Sequence, residues 1–150
     1  MGEQESTANN QSSEDTLSSA LETLKGRRVL LVEDVEFNQI IACDLLESEG
    51  IEVVTVWNGK EALEMLEKET FDGILMDCQM PVMDGYEATK KIRQIDAYKD
   101  LPIIAMTANA MKQDIEMVRE AGMNDHIAKP VDSERMYLAM AKWISQKTVN

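Results

Sequence analysis

The chain has 150 residues, 44% of them hydrophobic, with 28 acidic side chains against 15 basic ones and a formal charge of −13. That length builds one domain with a sizeable core, and so acidic a surface opposes both a nucleic-acid backbone and an anionic bilayer. No apolar run approaches the ~18 residues of a membrane span, no cationic start leads into an apolar stretch, and the two cysteines, Cys43 and Cys78, form neither a disulfide framework nor a ligand set. A reducing, cytoplasmic setting is expected, with no direct nucleic-acid or membrane contact.

Residues 1–25 are rich in Ser, Gln, Asn and Glu and are expected to form a flexible polar tail or interdomain linker. Within them, Leu17, Leu21 and Leu24 have the spacing of one short amphipathic helix. The domain is expected over 26–146, with a C-terminal tail at 147–150. Its strands are read at Val29–Glu33, Glu52–Val56, Gly73–Met76, Ile103–Met106 and about His126–Ala128. Three of these runs are densely apolar rather than alternating, as in parallel strands covered on both faces. Helical spacing places Phe37, Ile40, Ile41 and Leu45 on one face, then Ala62, Met65 and Leu66. Ala88, Ile92 and Ile95 follow, then Met111, Ile115 and Val118, and finally Met136, Met140, Trp143 and Ile144. Asn58, Asp84 and Asp132 stand at N-cap positions, and Gly50 and Gly122 at helix ends. Strict β-α alternation through five units implies a doubly wound parallel sheet with helices on both faces.

In such a fold the ligand site lies beyond the carboxyl ends of the strands. The first strand runs into Glu33-Asp34, the third into Asp77, the fourth into Thr107 and the fifth into Lys129-Pro130. Each residue alone has an ordinary explanation as a cap, turn or solvated loop. Together they bring three acids, a hydroxyl and an ammonium to one sheet edge. Converging carboxylates need a cation, and hard oxygen donors suit Mg²⁺. A carboxylate nucleophile has no proton to lose, so phosphoryl transfer to it asks only for positioning and charge neutralisation. Lys129 would neutralise phosphoryl oxygens opposite the metal, and the Thr107 hydroxyl would donate a hydrogen bond.

At this point the chain resembles the receiver domain of two-component response regulators. The resemblance runs through VLLVEDVEFNQ (29–39), GILMDCQMPVMDGYE (73–87), LPIIAMTANA (101–110) and GMNDHIAKP (122–130), and covers residues 26–146. The intervals of 43, 30 and 22 residues from Asp34 to Asp77, Thr107 and Lys129 fit the family. The resemblance implies a flavodoxin-like α/β fold with strand order 2-1-3-4-5. It implies Asp77 as phosphoacceptor from a phosphohistidine, and Mg²⁺ (or Mn²⁺) on Asp34, Asp77 and the main-chain carbonyl of Gln79, with Glu33 acting through a metal-bound water. It implies that backbone N–H groups of Cys78 and Ala108 face the phosphoryl group and that Lys129-Pro130 is cis. Gln79 and Asn109, two residues beyond Asp77 and Thr107, are expected to border the path of the attacking water and to set phosphoryl lifetime. Thr107 would act with His126 as a switch. His126 stands where an aromatic residue is usual: it reads either as a switch with acid-sensitive charge or as a half-exposed strand-edge residue. Glu33 stands in place of the more usual Asp.

The residues around these motifs are most similar to receivers of hybrid sensor histidine kinases, which allows a parent anchored in the inner membrane. The implied partner is a histidine-phosphotransfer domain or a kinase dimerisation domain docking near the domain's first helix. There Phe37 and Ile40 read as docking contacts or, by preference, as core. Met76, Met80 and Met83 read as packing, Cys78 as a small buried hydrophobe, and Trp57 and Trp143 as partly buried anchors. Such a domain is a switch that catalyses its own phosphorylation and dephosphorylation. Alternatives are a stand-alone single-domain regulator and a phosphorylation-independent interaction module. A dehalogenase-type phosphohydrolase needs an acid where Gln79 stands. A nucleotide-binding module needs a phosphate loop that the first strand lacks.

Overall fold

Apolar side chains that alternate between two faces along every central strand must be covered twice, and this dictates a three-layer arrangement. The computed structural model describes residues 16–78, 80, 83–108 and 111–149, with side chains through Ile144. Helix α1 covers 16–24. It is followed by β1 (Arg28–Val32), α2 (Glu36–Glu47), β2 (Glu52–Val56), α3 (Gly59–Lys68), β3 (Gly73–Asp77) and α4 (Gly85–Arg93). A 3-10 turn at Asp96–Tyr98 leads to β4 (Ile103–Thr107), α5 (Lys112–Ala121), β5 (Asp125–Ala128) and α6 (Ser133–Val149). All pairings are parallel, in the order 2-1-3-4-5. The fold class and strand order expected from the sequence are therefore present.

Leu30, Val32, Ile74, Met76, Ile103 and Ala105 face α3, α4 and α5, which contribute Ala62, Leu66, Ala88, Ile92 and Val118. Val29, Leu31, Leu75, Ile104, Met106 and Ile127 face the other layer, where α1, α2 and α6 contribute Leu24, Ala42, Leu46, Met136, Met140 and Ile144. β3 and β4 are buried at every residue, which explains their unbroken apolar sequences. Asn58 and Asp84 cap α3 and α4 by accepting from Glu61 N at 2.9 Å and Glu87 N at 2.8 Å. Asp132 Oδ1 accepts from Glu134 N at 3.0 Å at the start of α6. Gly122 ends α5 at φ +102°, a left-handed conformation that glycine takes without a Cβ penalty. The Arg93 guanidinium, its pKa pushed down by burial, ties α4 to the far end of the sheet. It donates to the carbonyls of Gly122, Tyr98 and Leu101 and to Asn124 Oδ1.

Several expectations are corrected. The buried residues of α2 are Gln39, Ala42 and Leu46, whereas Phe37, Ile40 and Ile41 are 69%, 59% and 43% exposed. Trp57, Ile95 and Met111 are exposed too. β1 ends one residue earlier than expected, and β3 and β4 each run one residue further, to Asp77 and Thr107. The expected helix at Leu17, Leu21 and Leu24 is present: Leu24 is fully buried, and Leu17 and Leu21 pack against the same cluster. Residues 1–15 of the expected tail lie outside the described residues, and α6 continues to Val149. No helix among the described residues is long and apolar enough to cross a membrane.

Because Leu24 is sealed against the β1, α2 and α6 side chains, Leu24→Ala should lower the unfolding free energy by about 2–5 kcal/mol. Urea denaturation of the full chain measures this.

Candidate functional site

Parallel strands deliver all their carboxyl ends to one edge. β1 passes into Glu33 and Asp34, β3 ends on Asp77, β4 ends on Thr107, and β5 passes into Lys129. Asp77 (3% exposed), Glu33 (1%) and Thr107 (2%) are buried, and Asp34 is half-buried. Glu33, Asp34 and Asp77 each offer a carboxylate oxygen, all within 4.8 Å of one another. Lys129 Nζ lies 3.1 Å from Glu33 Oε1 and 3.2 Å from Asp77 Oδ1. The sheet thus gathers Glu33, Asp34, Asp77 and Lys129 into one cluster, with Thr107 on the neighbouring strand end. This donor set fits a hard divalent cation: carboxylate oxygens from the turn after β1 and from the end of β3, with no sulfur or imidazole among them.

Strand alternation puts Thr107 on the same sheet face as Ala105, and Ala105 is the register partner of His126. His126 is half-buried, its Nδ1 4.0 Å from Asp125 Oδ1. Lys129-Pro130 is cis, and Lys129 N donates to Thr107 O at 2.8 Å. A cleft of about 150 Å³ opens beside the Lys129–Glu33 pair, between Asn38 and Ile41 of α2 and Pro130 and Val131. Cys78 is 1% exposed, and burial, only partly offset by its hydrogen bond with Tyr86, pushes its thiol up to about 11. It is a protonated packing residue. Gln79 and Asn109, with the roles expected for them, lie outside the described residues.

Two supporting residues escaped the sequence reading. A Cβ on Gly85 would stand 2.3 Å from Asp77 O and 3.0 Å from Cys78 Cα, so only glycine lets α4 start against the backbone that carries Asp77. Its signal is the Asp84-Gly85 pair directly after the Asp77 loop. Gln39, 8% exposed, donates from its amide nitrogen to the carbonyls of Glu33 and Val56, at 3.1 Å each. Its signal is a polar residue three and seven positions before Ala42 and Leu46, on the face that those two bury.

The family model for the response regulator receiver domain matches residues 29–141. The chain belongs to the response regulator receiver domain family. The sensor protein GacS of Pseudomonas syringae pv. syringae is 40% identical over 119 residues, 77% of this chain and 13% of that protein. The chain thus spans about an eighth of that sensor protein's length. The crystal structure of the receiver domain of sensor histidine kinase PA1611 from Pseudomonas aeruginosa, with a magnesium ion in its active site cleft, superposes with a TM-score of 0.75. It is 42% identical and covers 80% of this chain and 98% of that one. The receiver domain of Saccharomyces cerevisiae Ssk1, co-crystallised with the histidine phosphotransfer protein Ypd1, gives 0.75 at 29% identity, covering 83% and 92%.

In this receiver, burial pushes Glu33 up and Lys129 down, against their charged forms. Their partners prevail. Hydrogen bonds with Asp77 and Lys129 bring the Glu33 carboxyl below its ordinary range, and the charge of Asp77 with the Glu33 hydrogen bond raises the Lys129 ammonium above its own. A depressed carboxyl stabilises the fold above its unfolded value, near 4.5, and that contribution is lost as pH falls through the folded value. A raised ammonium stabilises below its unfolded value, near 10.5, and is lost as pH rises through the folded one. Between these limits the pair contributes a plateau.

Lys129→Met should abolish it. At pH 7 the variant should lose about 1.5–3 kcal/mol. Its remaining carboxylates, now facing one another, should take up protons more readily folded than unfolded, so that stability rises as pH is lowered toward 5. Urea denaturation across pH 5–9 reads both effects; an unchanged profile would sink the assignment of this bridge.

Proposed function

We propose that this receiver accepts a phosphoryl group from a phosphohistidine onto Asp77, with Mg²⁺ (or Mn²⁺) bound at the acidic edge. The observation that carries this reading is the meeting of Glu33, Asp34 and Asp77 within 4.8 Å, with Lys129 3.2 Å from the Asp77 carboxylate. An Asp77 oxygen attacks phosphorus, the phosphorus–nitrogen bond breaks, and the histidine nitrogen keeps the electron pair. The product is an acyl phosphate. A carboxylate nucleophile has no proton to lose, so the attack of Asp77 needs no general base. Asp34 and Asp77 would hold the metal, with Glu33 acting through a bound water and the Gln79 carbonyl, implied by the family resemblance, as a further ligand. When bound, the metal would supply neutralisation of charge on the phosphoryl oxygens.

Lys129 is the second neutralising charge. On phosphorylation its ammonium exchanges a carboxylate contact for a phosphoryl oxygen. The buried Thr107 hydroxyl donates from the fourth strand, and its shared sheet face with His126 supports reading the two as one switch. Gln79 and Asn109 are assigned to the water path that limits phosphoryl lifetime. Similarity to GacS supports a hybrid sensor kinase as the parent polypeptide, with this chain as its receiver module.

Phosphotransfer from a phosphorylated histidine-phosphotransfer domain should label the wild type. Chelation of divalent metal should abolish labelling and Mg²⁺ should restore it. Asp77→Asn should take no label, and label persisting on that variant would overturn the assignment.

The phosphodonor protein is proposed to dock on the start of α2, where Val35, Phe37, Ile40 and Ile41 expose 43–69% of their surface beside Asp34. A patch of this kind, next to the reacting edge, marks an interaction site. The double variant Phe37→Ala/Ile40→Ala should raise the KM for the phosphotransfer protein by about tenfold. Phosphorylation by a small acyl phosphate should proceed at the wild-type rate.

A further inference from the structure

Gln39 is the one polar side chain among the buried residues of α2, which are otherwise Ala42 and Leu46. A carboxamide has two N–H donors, and both are used here: one reaches Glu33 O and the other Val56 O, at 3.1 Å each. These carbonyls sit where the β1–β2 ladder has run out. The last register pair is Val32 with Val56, and Glu33 N still donates to Val56 O at 3.2 Å. Gln39 therefore adds one more link across the two strands, made by a side chain from the helix above. Its own N–H donates to Val35 O at 3.0 Å, so the turn from Glu33 to Val35 is held at both ends by one residue. Inside that turn are Glu33 and Asp34, two of the three converging acids.

We propose that Gln39 is a positioning residue for the metal. By fixing the carbonyl of Glu33 it fixes the peptide that follows, and with it the direction in which Asp34 presents its carboxylate to Asp77. This rests on the reading of Glu33, Asp34 and Asp77 as the Mg²⁺ site. The acids repel one another, so an unclipped turn relaxes by letting Asp34 move away from the cluster. A residue acting through its neighbour's backbone in this way weakens metal binding without touching the ion, as partners of metal ligands commonly do.

The test is calorimetric titration of the full chain with MgCl₂. Gln39→Met keeps the side-chain volume and removes both donors. Tyr98→Phe serves as the stability control, since it deletes the 2.6 Å bond to Leu66 O at the opposite edge of the sheet. Gln39→Met should bind Mg²⁺ about tenfold more weakly than the wild type, and Tyr98→Phe should bind it equally well. If Gln39→Met proves unfolded by circular dichroism, Gln39→Asn, one methylene short of both carbonyls, replaces it with the same expectation. Wild-type affinity in the Gln39 variant, or an equal loss in Tyr98→Phe, overturns the inference while leaving the metal site standing. Failure of the wild type to bind Mg²⁺ overturns both.

Discussion

Three carboxylates, those of Glu33 and Asp77 buried and that of Asp34 half-buried, bring oxygens within 4.8 Å of one another and repel strongly. Much else in the fold answers that repulsion. Lys129, contributed 95 residues after Asp34 in the chain, reaches across to Glu33 and Asp77. It can do so only because β5 runs parallel to β1 and β3 and ends at the same edge. A doubly wound sheet thus carries its charge problem and the answer to it on different strands. The site forms only when the whole sheet has formed.

Asp77 is closely packed where β3 meets α4. β3 is buried throughout, α4 begins in backbone contact with Asp77 through Gly85, and Cys78 is a protonated, buried thiol. The other flank is different. Val35, Phe37, Ile40 and Ile41 remain exposed around Asp34, leaving an apolar rim beside an ionic centre. On the proposed function, this rim would contribute contact area to a protein phosphodonor, and the acids and ammonium would contribute the chemistry.

The α1 helix extends this organisation beyond the stretch matched by the family model, which begins at residue 29. Ala20 and Leu24 are buried with α2 and α6 side chains. The α2 layer therefore has a packed neighbour below it, while its upper end carries the exposed rim.

Five β-α units specify the fold class already in the sequence, and spacing along the chain specifies the set of strand-end residues. Strand ends in a parallel sheet share an edge whatever the details of packing, so Glu33, Asp34, Asp77, Thr107 and Lys129 were legible as a group. Which face of α2 turns inward is settled only when the helix packs on the sheet. Hydrophobic periodicity favours burying Phe37, Ile40 and Ile41, yet the helix buries Gln39, Ala42 and Leu46. The reason is that Gln39 meets two strand-end carbonyls, and donors placed by folding are invisible to a pattern of apolar residues. Gly85 is similar. Its neighbours in sequence identify a helix start, whereas the 2.3 Å approach to Asp77 that forbids any side chain exists only once α4 has docked on β3.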